Sequence, residues 1–212
     1  MKKQTYLLYA VTDFPGTDAC GRTLYERVEK ALEGGVTCVQ LREKQRESSD
    51  LLRDARELRA LCHRFGVPLL IDDDVEVALQ SGADGVHVGA EDTPVAEVRR
   101  RCGPSFCVGA TAKTVEQARR AEADGADYLG VGALFPSPTK PNAIPVSRER
   151  LREICNAVRI PCVAIGGITA ERVPSLAETG ISGIAVVSAL FGAADVRKAA
   201  ETLREAARAV VK

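Results

Sequence analysis

The sequence has no excess charge of either sign, no long hydrophobic run, no C-x-x-C pair and only two histidines, and each shortage removes a class of function. Lys plus Arg and Asp plus Glu number 29 each, so no overall field holds the chain on nucleic acid or an anionic membrane, and a charged ligand must be gripped locally. The longest apolar runs, such as Val67 to Ile71, fall far short of the roughly 20 residues a membrane-spanning helix needs. Tyr6 to Val11, behind two lysines, is too short for a secretory signal and lacks a small-residue cleavage site. The seven cysteines, Cys20, Cys38, Cys62, Cys102, Cys107, Cys155 and Cys162, are odd in number and scattered, which argues against a disulfide framework. Cys38, Cys107 and Cys162 sit inside apolar strand-like runs, where a reduced thiol behaves as a small hydrophobe. With no signal and no disulfide pattern, a cytoplasmic location is expected. Neither His63 nor His87 has a ligand partner at metal spacing. His63 reads as a solvated helix residue. His87 reads as a hydrogen-bonded structural residue of strand four, facing either a barrel interior or the surrounding helices. No Ser/His/Asp order or activated-cysteine motif is visible.

What the 212 residues do contain is alternation, and their length and 45% hydrophobic content predict a single domain over 1–212. Short apolar runs predict strands at Tyr6–Val11, Thr37–Leu41, Pro68–Ile71, Gly85–Val88, Phe106–Gly109, Tyr128–Val131, Cys162–Ile165 and Gly183–Val187. Between them, stretches such as Ser49–Phe65, Thr114–Ala123, Ser147–Val158 and Ala193–Val211 carry one apolar stripe, as helices lying on a sheet do. A weak repeat marks every second strand: Gly34-Gly35-Val36-Thr37, Gly82-Ala83-Asp84-Gly85, Gly125-Ala126-Asp127-Tyr128 and Gly180-Ile181-Ser182-Gly183. Four double units predict an α/β fold, a single (β/α)8 TIM barrel, with a doubly wound open sheet as the competing topology.

In such a barrel the active site lies at the strand C-terminal ends, and unusual residues gather there. Gln40-Leu41-Arg42-Glu43-Lys44 follows strand two, Asp72-Asp73-Asp74 strand three, and Gly89-Ala90-Glu91-Asp92 strand four. The loop after strand six, from Gly132 to Pro145, is long and proline-rich. Ile165-Gly166-Gly167-Ile168 and Val187-Ser188-Ala189 end strands seven and eight, where barrels often bind phosphate on backbone amides; a glycine permits the close approach and a following helix aims its positive end at the anion. Hard carboxylate oxygens beside Arg42, Lys44 and Lys140 suit Mg²⁺ and a diphosphate, because Mg²⁺ takes one or two carboxylates and fills its remaining positions with water and phosphate. An Asp run before a helix also suits capping. Asp74 is read as the cap, Asp73 and Asp92 as metal ligands.

These motifs, in this order and over nearly the whole chain, resemble the thiamine-phosphate synthase (thiamine-phosphate pyrophosphorylase) family. The resemblance implies a transferase of thiamine biosynthesis that joins a pyrimidine bearing a CH₂–diphosphate to a thiazole phosphate, by Mg²⁺-assisted dissociative displacement. It implies that Gln40, Arg42 and Lys44 hold the pyrimidine diphosphate with Asp72, Thr111 and Lys140. Arg42, Lys44, Lys140 and Thr111 would assist the chemistry. Asp73 and Asp92 would bind Mg²⁺, and Ser137, Thr139, Gly167, Val187 and Ser188 would line the thiazole phosphate site. Its partners would be small molecules, neither nucleic acid nor membrane, with homo-oligomer formation left open.

The chain departs from the family pattern at several positions. Asp72 stands where Asn is usual, Thr111 for Ser, Lys113 for His, Ala90 for Gln and Ala133 for Pro, and a usual Gly is missing near Val146 and Ser147. An anion at Asp72 repels a diphosphate unless it is protonated, paired with a cation or bound to the metal. The related thiazole tautomerase relies on a His where Lys113 stands, which argues against that activity. A Schiff-base aldolase built on Lys140 and a barrel that only binds a phosphorylated ligand are the remaining alternatives.

Overall fold

The computed structural model describes residues 3–12, 21–43, 47–136 and 145–211. Eight parallel strands, β1 (Leu8–Val11), β2 (Cys38–Leu41), β3 (Leu69–Asp72), β4 (Gly85–Val88), β5 (Cys107–Ala112), β6 (Tyr128–Val131), β7 (Cys162–Ile165) and β8 (Gly183–Val186), pair in chain order. The ring closes where β8 returns to β1 through the pairs Leu8 with Ile184 and Ala10 with Val186.

The sequence repeat has a physical basis at the bottom of this ring. Thr37 Oγ1 accepts from Leu8 N at 3.0 Å, Asp84 Oδ2 from Leu69 N at 2.9 Å and Asp127 Oδ2 from Val108 N at 2.8 Å. The same residues return their own backbone N–H to the preceding odd strand, Thr37 to Leu8 O, Asp84 to Leu69 O and Asp127 to Val108 O, and Ser182 does so to Cys162 O. Each even strand is thereby fastened to the odd strand before it, so the motif recurs once per two strands. These bonds also satisfy amides at the strand starts, where no neighbouring ladder reaches them.

The helices are α1 (Leu24–Glu33), α2 (Ser48–Arg64), α3 (Val75–Ser81), α4 (Val95–Cys102), α5 (Val115–Ala123), α6 (Arg148–Ala157), α7 (Ser188–Phe191) and α8 (Val196–Val210). Five begin on side-chain caps: Thr23 with Glu26 in a reciprocal capping box, Asp74, Thr114, Ser147 and Asp195. Asp74 is the cap expected of it, Oδ1 accepting from Val77 N at 2.9 Å. On α2 the buried stripe is Leu51, Ala55, Leu58, Leu61 and Cys62, each large aliphatic contributing about 1.5–3 kcal/mol by leaving water.

The apolar interior has two layers. Outward-facing strand residues such as Leu8, Val39, Ile71 and Leu129 pack under the helices. Inside the ring Tyr6, Tyr9, Leu70, Cys107, Tyr128 and Val163 fill the barrel. Tyr6 and Tyr128 lie with ring centroids 4.4 Å apart. Gly109 makes room for this stack, since a Cβ there would sit 2.2 Å from Tyr128 Cζ.

Some boundaries differ from expectation. Tyr6 belongs to a 3-10 turn, Lys3–Tyr6, and β1 starts at Leu8. β5 runs on to Ala112 because Thr111 and Ala112 pair with Gly130 and Val131. The last helix starts at Val196, where Asp195 caps it, and Ser188–Phe191, expected only as the end of strand eight, forms the separate short α7. Among the described residues only a 3-10 turn, Val173–Leu176, joins β7 to β8, so no α-helix follows Gly166-Gly167 to aim its dipole there. Cys38, Cys107 and Cys162 are buried, as packing residues should be. His63 has a partner the sequence did not reveal: its Nε2 lies 3.2 Å from Asp84 Oδ1.

Candidate active site

One cavity opens at the C-terminal ends of the strands, and Gln40, Arg42, Asp72, Asp73, Asp92, Thr111, Gly167, Val187 and Ser188 all line it. These nine come from six strand ends or the loops just after them, and every described residue assigned to the site from sequence is among them. Lys44, Ser137, Thr139 and Lys140 lie outside the described residues.

The β2 and β3 ends supply opposite charges. Arg42 Nε is 3.4 Å from Asp72 Oδ2, and each side chain is 12% exposed. Asp72 thus satisfies one of the three conditions under which an anion can sit beside a diphosphate, pairing with a cation. Arg42 is held from behind, its backbone N donating to Thr12 Oγ1 at 2.9 Å.

The next residue, Asp73, takes φ +60°, while its N–H donates to His87 O at 2.8 Å. A left-handed non-glycine residue is uncommon, and Asp is one of the types that tolerates it. The turn sends successive carboxylates to different tasks: Asp72 to Arg42, Asp73 to the cavity, Asp74 to the helix cap. On the adjacent strand end, Asp92 Oδ2 accepts from Gly89 N at 2.7 Å, which fixes the loop and aims the carboxylate into the mouth. Among the described residues no cluster of three or more His, Cys, Asp or Glu that could hold a metal is present. Two carboxylates at neighbouring strand ends fit Mg²⁺, which completes its shell with water and phosphate oxygens, and do not fit a metal that needs a closed protein cage.

The opposite wall is uncharged. Gly166 and Gly167 have φ +97° and +63°. A Cβ on Gly167 would meet Phe135 O at 2.7 Å and Pro136 O at 2.6 Å. Glycine is therefore required by the backbone turn and by the β6 loop lying against it, in addition to its place on the cavity wall. Leu134 N and Phe135 N donate to Ile165 O and Gly166 O, tying the two loops together. Arg172 clamps the same turn, donating to Gly167 O at 2.6 Å while its guanidinium lies 5.2 Å from the Phe135 ring centroid.

Four polar side chains of the cavity lay outside the sequence-based site: Tyr9, Tyr128, His87 and Lys113. His87 is hydrogen-bonded, as expected, and the barrel interior is the side it faces: Nδ1 meets Tyr128 Oη at 2.8 Å and Nε2 meets Thr111 Oγ1 at 3.1 Å. A usable signal existed in the glycines of β5 and β6, Gly109 and Gly130, because glycine inside a strand often marks close approach of another group. Burial pushes the Cys107 thiol up to about 12 and Cys38 well above the ordinary thiol range, so neither buried thiol below the mouth is an activated nucleophile.

Comparison with known proteins agrees with this geometry. A sequence model described as thiamine monophosphate synthase matches residues 8–190. The chain is 47% identical over 203 residues to a thiamine-phosphate synthase of Ruminiclostridium cellulolyticum, covering 96% of each, and 46% identical to that of Clostridium tetani over 92% of this chain and 93% of the other. A solved thiamine phosphate pyrophosphorylase from Pyrococcus furiosus superimposes with a TM-score of 0.87 at 38% identity, covering 99% of both chains. With a closed parallel barrel, a charged and a glycine-lined wall in one mouth, and similarity extending over nearly the full length, this chain belongs to the thiamine monophosphate synthase family.

Proposed function

We propose that this chain is a transferase that joins an aminopyrimidine methyl diphosphate to a thiazole phosphate, releasing thiamine phosphate and diphosphate, with Mg²⁺ as its metal. The observation that carries the reading is the division of a single mouth into two walls. Arg42, Asp72, Asp73, Asp92 and Thr111 form a charged side suited to a diphosphate, and Gly167, Val187 and Ser188 form a backbone-rich side suited to a monophosphate. Two anionic substrates need two such subsites, facing each other.

In the displacement, the bond between the pyrimidine CH₂ and its diphosphate oxygen breaks, and the electron pair leaves with the diphosphate. The electron-rich aminopyrimidine carries the positive charge at CH₂, and the thiazole nitrogen lone pair forms the new C–N bond. No proton has to be abstracted, so a strong general base is unnecessary. The tasks left to the protein are neutralising the leaving group and aligning two rings. Arg42 supplies charge at the β2 end, with Lys44 and Lys140 assigned the same role. Thr111 donates a hydrogen bond from β5. Gln40, only 4% exposed, holds the floor on which the pyrimidine rests. Asp73 and Asp92 would hold Mg²⁺, which supplies positive charge to the diphosphate oxygens when bound. Reduced thiols and small charged substrates are consistent with a cytoplasmic enzyme, and among the described residues no helix is long and apolar enough to cross a membrane.

The test is calorimetry with the pyrimidine diphosphate in the presence and absence of Mg²⁺. Metal-dependent binding is the expected result. Binding of the thiazole phosphate alone, with no response to the diphosphate or to Mg²⁺, would instead favour a tautomerase-like or ligand-binding barrel.

A further inference from the structure

Five polar side chains from five strands form a continuous relay across the floor of the mouth. Gln40 Nε2 donates to Tyr9 Oη at 2.9 Å, the Tyr9 and Tyr128 hydroxyls meet at 2.8 Å, Tyr128 meets His87 Nδ1 at 2.8 Å, and His87 Nε2 meets Thr111 Oγ1 at 3.1 Å. The rings occupy space cleared for them. A Cβ on Gly109 would collide with Tyr128, and one on Gly130 would come within 3.1 Å of His87 Cε1.

Counting donors gives the relay a direction. An amide nitrogen only donates, so the Tyr9 oxygen is an acceptor at Gln40 and its own proton is available to Tyr128. Were Tyr9 to accept from both sides, its proton would turn onto the Cys38 thiol beside it, a much weaker acceptor than a phenol oxygen. Having accepted from Tyr9, Tyr128 directs its proton to His87 Nδ1, which must then be bare, leaving the ring hydrogen on Nε2. That hydrogen goes to Thr111 Oγ1. Thr111 has now accepted, and its hydroxyl hydrogen is left for the cavity it lines. Burial holds both phenols well above their ordinary range, so each keeps the proton the relay requires.

We propose that His87, fixed as its Nε2–H tautomer by Tyr128 and Tyr9, is a positioning residue that makes the Thr111 hydroxyl an obligate donor toward the anionic substrate. The proposal rests on the reading that Thr111 faces the diphosphate. A relay running the other way would turn the Thr111 hydrogen onto His87 and present oxygen lone pairs to an anion. The built direction orients a donor before the ligand arrives, so no reorientation is needed as charge develops on the leaving group.

Two measurements test this. ¹⁵N NMR of histidine-labelled protein reports the ring hydrogen without substrate, and a His63→Gln variant assigns the two rings. The neutral Nε2–H pattern is expected for His87, becoming a mixture of tautomers in Tyr128→Phe. An Nδ1–H tautomer in the unsubstituted protein overturns the proposal, whether or not the synthase reading holds. The second measurement is a double-mutant cycle on kcat/KM for the pyrimidine diphosphate. Tyr128→Phe should lower it by up to about tenfold with Thr111 present and by less than about twofold in Thr111→Ala, with Tyr9→Phe behaving likewise and more weakly. Thr111→Ser, which keeps the hydroxyl, should restore the full effect of Tyr128→Phe. Equal losses in both Thr111 backgrounds would show that the tyrosines act only through the fold, and would overturn it.

Discussion

Arg42 and Asp72 face each other from adjacent strand ends, guanidinium Nε to carboxylate Oδ2 at 3.4 Å, in a mouth where both are largely shielded from solvent. The pair has two consequences. Asp72 does not stand in the mouth as a bare anion, and part of the Arg42 charge is compensated before any ligand binds.

Asp72→Asn keeps an acceptor for Arg42 and removes one negative charge. Tighter binding of the pyrimidine diphosphate is expected, by about 1 kcal/mol or roughly fivefold in KM, with kcat little changed. Steady-state kinetics at fixed Mg²⁺ measures it. A raised KM would mean that the carboxylate chiefly holds Arg42 in place.

Asp73→Asn and Asp92→Asn separate metal binding from local structure. Asn tolerates the left-handed backbone at position 73, and at position 92 its side-chain oxygen still accepts the Gly89 N–H. Thermal stability should stay near that of the unsubstituted protein while turnover falls sharply and recovers in part at higher Mg²⁺. Full activity with an unchanged Mg²⁺ requirement would remove these two residues from the metal site.

Asp74→Ala should show the opposite profile, because its carboxylate caps α3 through Val77 N. A loss of about 1 kcal/mol is expected, or a Tm lower by roughly 2–4 °C for a chain of this size, with kinetics nearly intact. Activity loss without loss of stability would transfer Asp74 to the site.

The barrel was legible because alternation of short apolar runs with striped helices leaves few ways to bury both, and because the turns Thr37, Asp84 and Asp127 repeat a bond that recurs with every second strand. Boundaries were less legible where tertiary pairing decides them: Thr111 looks like a loop residue until Gly130 is beside it. Strand-end positions made Arg42, Asp73, Asp92 and Gly167 legible as residues of the cavity wall, since the fold dictates where loops converge. The Tyr9–Tyr128 contact joins residues 119 apart, and no local pattern encodes a partner that only barrel closure brings across. The Arg42–Asp72 pairing was one of three outcomes that charge logic allowed for Asp72, and the sequence alone did not choose among them.

Buried thiols predict an alkaline limit to stability. Burial pushes Cys62 and Cys107 from 9.0 up to about 12. Below pH 9 both thiols are protonated folded and unfolded, and the fold keeps its full stability. As pH rises from 9 toward 12 the unfolded chain ionises first, so stability falls, by up to about 1.4 kcal/mol per pH unit for each thiol. The buried tyrosines add to the slope above pH 10. Urea midpoints between pH 8 and 10 should fall in the unsubstituted protein and fall less steeply in Cys62→Ala. A flat response would mean the thiols are not protected by burial.

The most direct measurement is turnover: purified, folded protein with Mg²⁺, the aminopyrimidine methyl diphosphate and the thiazole phosphate, assayed for thiamine phosphate and for released diphosphate. Both products are expected in equal amounts, dependent on Mg²⁺. Arg42→Ala should depress kcat more than it raises KM for the thiazole phosphate, because the charge it offsets develops on the leaving diphosphate. No thiamine phosphate from protein shown to be folded, with both substrates and Mg²⁺ present, would contradict the account.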